Sequence, residues 1–330
     1  MHFGHDILKI ADPEQEGRLL AKIAALRQRL TDELGYIIPN IRVRDSTELN
    51  SKEYNILVRN IKVAQGIVYP DRVMIITDEA KKKKFPIPED AISGIFPVCN
   101  ESVYWIKSEQ VDKSISLTLV DPCDVMVTHI KKCVIKYADE IITLESTAKL
   151  AEYAKEQSPV CVENLIPKYI SLVDLQKIII NLVREDVSIK DIVYIFEKLS
   201  DYARFSQDPD ILSEKLRYSL RKHICTKHAS KDKILYAVTL PDNEEKDLTD
   251  SCNMAEYRKE IILSLDKQKN LIEYIKSSFD KIKEITDVQP VILCSPEIRL
   301  SLFRLLNNHF VEITVLSNKE IVDDFMIETV

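Results

Sequence analysis

A chain of 330 residues, 45% hydrophobic and 30% charged, has the balance of a folded globular protein, with room for two or three domains and too many apolar residues to stay disordered. Its net charge of −7 argues against broad binding to nucleic acid, which rests on clustered Lys and Arg neutralising phosphates. No stretch approaches the roughly 18 uninterrupted apolar residues of a membrane helix, and the start, MHFGHDILKI, lacks a basic region followed by an apolar run, so the expectation is a cytosolic polypeptide.

Asp12-Pro13-Glu14 reads as a helix N-terminus, with a cap, a first-turn proline and an acidic residue. Leu19, Ile23, Leu26 and Leu30 then form one apolar stripe, and Gly35 supplies the stop. Between Leu34 and Ile76 apolar residues alternate: Ile41 and Val43, then Tyr54, Ile56 and Val58, then Ile61 and Val63. That period predicts a β-ribbon, with Asn60 at a tight turn and Gly66 at a bulge or strand end. From Thr77 to Ser116 prolines 86, 88 and 97, the run Lys81 to Lys84 and scattered apolar residues predict a small inserted subdomain with loops, the lysines being a solvated loop. Ile115, Leu117, Leu119 and Val120 read as a returning strand, and Met126, Ile130, Val134 and Tyr137 as the stripe of the next helix.

Between about Ile142 and Cys225 helical signals follow one another without a sustained strand. Ser171 with Asp174, and Ser188 with Asp191, are variants of the capping box, and Asp208-Pro209 starts a further helix bearing Leu212, Leu216 and Leu220. Strand and helix then alternate. Ile234 to Leu240 is a strand, Met254 to about Ile285 a long charged helix or helix pair, and Val291 to Cys294 a strand leading through Ser295-Pro296, an N-cap and first-turn proline, into a helix ending near Leu306. With the strand Ile313 to Leu316 this makes a right-handed β-α-β unit.

Chemistry-bearing motifs are sparse. Five scattered glycines assemble neither a P-loop nor a dinucleotide fingerprint, and neither G-x-S-x-G nor H-E-x-x-H occurs. The seven cysteines are widely spaced with no C-x-x-C pair, as expected of buried thiols in a reducing compartment. His223, Cys225 and His228 stand close together at a predicted helix end, where histidine meets the last carbonyls more readily than it binds a metal; His2 and His5 read the same way. His129, inside a patterned helix with no nucleophile beside it, reads as a structural histidine. Glu244-Glu245 and Asp323-Asp324 read as solvated acids. The residues favour a binding or scaffolding protein with no catalytic centre, cofactor or metal. An α/β enzyme with a site near Ser295, at the strand ends of the last domain, is the alternative.

A resemblance sharpens this. The order GYIIP, IRVRD, EYNILV and VAQG across residues 35–66, then VDPCDVMVTHIKKCVIKYADEII (120–142), SLVDLQKIIINLVREDVSIKDIVYIFEKLSDYA (171–203) and PVILCSPEIRLSLFRLLNNHFVEITVLSNKEI (290–321) resemble the cytoplasmic domain of the export-gate family of flagellar and type III secretion systems. The resemblance implies an α+β chain of four subdomains: a discontinuous, thioredoxin-like α/β core (1–66 and 117–141), a small inserted α/β subdomain (67–116), an all-α subdomain (142–225) and a C-terminal β-α-β subdomain (226–330). It further implies a platform at the cytoplasmic face of the bacterial inner membrane, attached through an upstream membrane domain absent here. Such a platform assembles as a homo-oligomeric, nonameric ring below the export channel and receives export substrates, their chaperones and other export components, but no nucleic acid. The family's docking cleft lies between the first two subdomains and maps here to Phe96, Pro97, Cys99, Trp105 and Thr128. Where the family carries aspartate, phenylalanine and glycine, this chain has Phe96, Cys99 and Asn100, which makes the groove more apolar.

Overall fold

The computed structural model describes residues 1–12, 17–35, 38–77, 80, 85–99, 101–111, 117–255, 258–310 and 312–329. The lysine run, Pro13-Glu14, Asn100 and Ile115 lie outside the described residues. The chain divides into two compact units, Met1–Val162 with Leu175–Val193, and Glu163–Asp174 with Tyr194–Val330.

The first unit begins with β1 (His2–Phe3), α1 (Leu8–Ala11) and α2 (Arg18–Leu34). Residues Leu19, Ile23, Leu26 and Leu30 of α2 are all buried, as their spacing predicts. The helix begins at Arg18, after Gly17 in the left-handed region (φ 58°). It stops at Gly35 (φ 76°), where a Cβ would lie 2.3 Å from Lys190 Cα, so both the turn and the close approach require glycine.

A four-stranded sheet follows in the order β2-β1-β3-β4, from β2 (Arg44–Asp45), β3 (Glu53–Val58) and β4 (Ile61–Ile67). The expected hairpin forms with positive φ at Arg59 (48°) and Asn60 (67°), a turn whose twist matches that of its strands. Ile41 and Val43, expected in a strand, lie outside it; only Arg44 and Asp45 pair, with β1. A three-stranded antiparallel sheet follows in the order β5-β7-β6, from β5 (Arg72–Ile76), β6 (Ile92–Ile95) and β7 (Ser102–Lys107). Val120 returns as a single bridge to Met74 rather than as a strand. It leads into α3 (Pro122–Lys136), which Asp121 caps through Cys123 N (2.8 Å) and which packs on α2. After α4 (Ala138–Ile141) and α5 (Leu144–Gln157) the chain stays helical through α6 (Pro159–Leu165), α7 (Leu172–Arg184), α8 (Ile192–Tyr202) and α9 (Pro209–His228). The reciprocal Ser171–Asp174 box is present, with bonds of 3.1 Å in each direction.

In the second unit β8 (Ile234–Thr239) is followed by α10 (Asp242–Asp250), the hairpin β9 (Cys252–Ala255) and β10 (Arg258–Ile261), and α11 (Leu265–Ile285). The hairpin replaces the first turns of the long helix expected from Met254. Its polar residues are good helix formers, but backbone pairing and the bond from Ser301 Oγ to Lys259 O (3.1 Å) prevail over that propensity. Then come β11 (Val291–Cys294), α12 (Arg299–Leu306), β12 (Val315–Ser317) and β13 (Met326–Thr329), the last unforeseen from sequence. The sheet, β12-β11-β8-β13, is parallel at every described pairing, as the β-α-β reading requires. Ser295 is not the cap of α12, which starts four residues later; its amide donates to Glu245 Oε1 (2.6 Å) on α10, so Glu245 belongs to a helix and not to a solvated loop.

Candidate functional site

A cleft of about 600 Å³ opens in the first unit, lined by Glu53, Gln65, Gly66, Ile67 and Tyr69 on one side and by Ser93, Gly94, Ile95, Pro97 and Trp105 on the other. Its walls are the free edges of two sheets, since β4 pairs only with β3 and β6 only with β7 among the described residues. Hydrogen bonding alternates along an antiparallel pair, so the backbone groups of every second edge residue point away from the sheet. Val68 N–H donates to Lys52 O (3.0 Å), which places Gly66 in the next bonded pair with Tyr54 and leaves Gln65 and Ile67 pointing outward. Likewise Phe96 N–H donates to Glu101 O (2.8 Å), so Gly94 bonds Val103 while Ser93 and Ile95 point outward. These four outward residues all line the cleft.

The floor is aromatic. Trp105, 2% exposed, lies 5.5 Å from the Tyr69 ring, and Lys52 Nζ sits 5.1 Å above that ring. Beneath β4, the Tyr54 ring occupies the place a Cβ on Gly66 would take, at 2.6 Å. The Tyr54 hydroxyl is 2.9 Å from His129 Nδ1. Burial lowers the histidine from 6.5 to about 4 and raises the phenol far above its ordinary value, so both groups are neutral at physiological pH. Cys225 is likewise buried, its thiol donating to Glu320 O (3.3 Å), while the neighbouring His223 is exposed.

Of the five residues picked out in the sequence, Pro97 and Trp105 line this cleft. Phe96 and Cys99 flank it in the half-buried turn that follows β6, where burial pushes the Cys99 thiol up to about 11. Thr128 is exposed on α3, one helical turn from Lys132 and on the same face. Lys132 Nζ donates to Val98 O (2.6 Å), which ties that turn to the helix. Sequence reasoning missed Gln65, Ile67, Ser93 and Ile95, whose role depends on which strands end up at sheet edges, a property set by pairing and not by local pattern. A second cavity of about 740 Å³, lined in part by Arg42, Arg44 and Arg59, contains none of the five.

The fold is shared, over nearly the whole chain, with solved structures. It superposes on a chain of the Chlamydia pneumoniae CdsV and CdsO protein complex with a TM-score of 0.79 at 21% identity, covering 99% of this chain and 95% of that one. It also superposes on the nonameric SctV-C assembly of EPEC with a TM-score of 0.76 at 20% identity, covering 99% and 95% respectively. The FHIPEP family profile matches residues 1–326, and the chain belongs to that family. The flagellar biosynthesis protein FlhA of Bacillus subtilis is 30% identical over 99% of this chain, which spans 48% of that protein's length. No described helix is long and apolar enough to cross a membrane.

Proposed function

We propose that this chain is the cytosolic platform of a protein-export gate, assembled as a nonameric ring below the export channel and held at the inner membrane through a domain outside this chain. Its task is to dock export substrates and chaperone–substrate complexes, alongside other export components. Family membership supports the platform, and the nonameric relative supports the ring. The observation that carries docking is the open cleft between two sheet edges, floored by Trp105 and Tyr69 and adjoined by the turn holding Phe96 and Cys99. It lies between the proposed first and inserted subdomains.

Among the described residues the lining contains one charged side chain, Glu53, so binding rests on burial more than on charge. Phe96→Ala is expected to weaken capture of purified chaperone–substrate complexes by about 2 kcal/mol, roughly thirtyfold. Thr128→Asp should do likewise, with the fold intact by circular dichroism and little effect of moderate salt. Equal capture by wild type and both variants would place docking elsewhere. Scattering of the chain tethered densely to a membrane tests the ring; monomers under those conditions would refute it.

A further inference from the structure

We propose that the cleft takes its ligand as an added β-strand: an extended segment of an export partner, alternating in apolar residues and carrying at most one basic side chain, pairs with the free edge of β6. The inference rests on the docking reading of the cleft and goes further, because it specifies the conformation and chemistry of what docks.

The free edge is the first observation. Outward-pointing N–H and C=O groups at Ser93 and Ile95 form the two-residue repeat that an extended backbone satisfies, and that a helix, whose own backbone groups are already bonded, does not. Side chains are the second. Ile95 is 64% exposed and Ile67, on the facing wall, 53%, an apolar exposure that ordinary edge strands avoid with charges or prolines. Charge is the third. Glu53, the only charged residue among the described lining residues, has one carboxylate oxygen held by Asn50 Nδ2 (3.0 Å), which suits a neutral segment or one bearing a single lysine or arginine.

Gly94 separates this edge from the other. On β4, Gly66 is dictated by packing, since a Cβ there would lie 2.6 Å from Tyr54. On β6, a Cβ at Gly94 would meet only ordinary contacts, 3.5 Å from the Trp105 indole, and the backbone is extended. Nothing in the fold requires glycine at 94. What its missing side chain does is keep the cleft wall beside the buried indole low, where a second backbone can approach closely.

Trp105 is the only tryptophan in the chain, so its fluorescence reports on the cleft alone. The probe is a short synthetic peptide alternating valine with threonine and carrying one lysine, together with the same peptide N-methylated at alternate amides. Expected are saturable quenching or a shift of Trp105 emission by the first peptide and binding at least about tenfold weaker for the second, as for the loss of one or two backbone hydrogen bonds. Ile95→Pro removes an outward N–H without touching the β6–β7 ladder and should weaken binding by a similar factor. Ile95→Thr keeps that N–H and should stay close to wild type, and Gly94→Val should block the site while β6 stays paired.

Equal binding of the two peptides, or no binding of either, overturns strand addition, and the peptide comparison needs no variant to fold. The chaperone–substrate assay separates this failure from that of the docking reading. Capture lost in Phe96→Ala and Thr128→Asp but retained in Ile95→Pro and Gly94→Val keeps docking and rejects the strand. Capture retained in all four rejects both.

Discussion

The two units handle buried polarity in opposite ways. In the first, the Tyr54–His129 pair under the cleft wall is neutral, a phenol against an imidazole that burial keeps unprotonated. In the second, α9 is fastened by ions: Arg217, 2% exposed, is ion-paired with Glu320 at 2.8 Å, Arg299 holds Glu214 through Nε and a terminal guanidinium nitrogen, and Arg304 holds Asp210 at 2.7 and 2.8 Å. A neutral pair needs no countercharge, so it can sit beneath an open cleft without charging it. Ion pairs with fixed geometry instead hold a helix in one register against α12 and against the segment that follows β12. The buried pair beneath the first unit's cleft is neutral, whereas the second unit uses buried charges to hold one arrangement.

Breaking an ion pair should have the largest effect. Arg217→Ala removes the ion-pair partner of buried Glu320, whose other carboxylate oxygen accepts from Ser317 N and Oγ, and removing one partner of a buried pair costs about 3–5 kcal/mol. Denaturant unfolding measures the loss, and hydrogen exchange should place it in residues 209–228 and 315–320. A cost below about 1 kcal/mol would mean that the charges are not what holds α9, and the contrast between the units would fail.

Acid is the complementary probe of the first unit. His129 binds its proton near pH 4 when folded and near 6.5 when free, so between those values the unfolded chain carries more protons. Stability contributed by the neutral histidine is complete above 6.5, falls as the pH drops through that window and levels below 4, with a total of the order of 3 kcal/mol. Comparing wild type with His129→Asn isolates this part of the acid profile. Identical profiles would show that the histidine is not held neutral by its surroundings. Next in size comes Gly66→Ala, which drives a methyl group into the Tyr54 ring and should cost about 1–3 kcal/mol by overpacking. It should also loosen the Tyr54–His129 contact, visible as a rise of the histidine's pKa in proton NMR.

How much of this was legible in the sequence depended on how local its cause was. The stripe from Leu19 to Leu30, the Asn60 turn, the Ser171–Asp174 box and the β11–α12–β12 unit are set by residues within a few positions of one another, and the fold carries all four. The β9–β10 hairpin was hidden because helix-forming residues there are overruled by contact with Ser301, more than 40 positions on. The same holds at the candidate site. Pro97 and Trp105 could be picked out by resemblance, but the free backbone groups of Ser93 and Ile95 come from β6 being last in its sheet, and Lys132 reaches Val98 across 34 positions of sequence. The ion pairs on α9 join residues 85 to 103 positions apart, and no periodicity records such a pairing.

The smallest predicted effect tests whether α9 is held by its ions or by its own helix end. Asp208 caps it, with Oδ1 accepting from Asp210 N at 2.8 Å and from Ile211 N at 3.4 Å, and Pro209 fills the first helical position. Asp208→Ala removes both bonds and a negative charge at the positive end of the helix, which should cost about 1 kcal/mol. Asp208→Asn keeps the cap geometry and should cost only a few tenths, the part due to charge. Asp210, which pairs with Arg304, and Glu214, which pairs with Arg299, lie in the first two turns, so fraying there would reach the ion pairs if the cap were what held them in place. Independent contributions predict that Asp208→Ala combined with Arg217→Ala costs the sum of the two alone, because cap and ion pair are more than two turns apart. A double variant no less stable than Arg217→Ala would show that cap and ions act as one unit, the cap contributing only while the buried ion pair is intact.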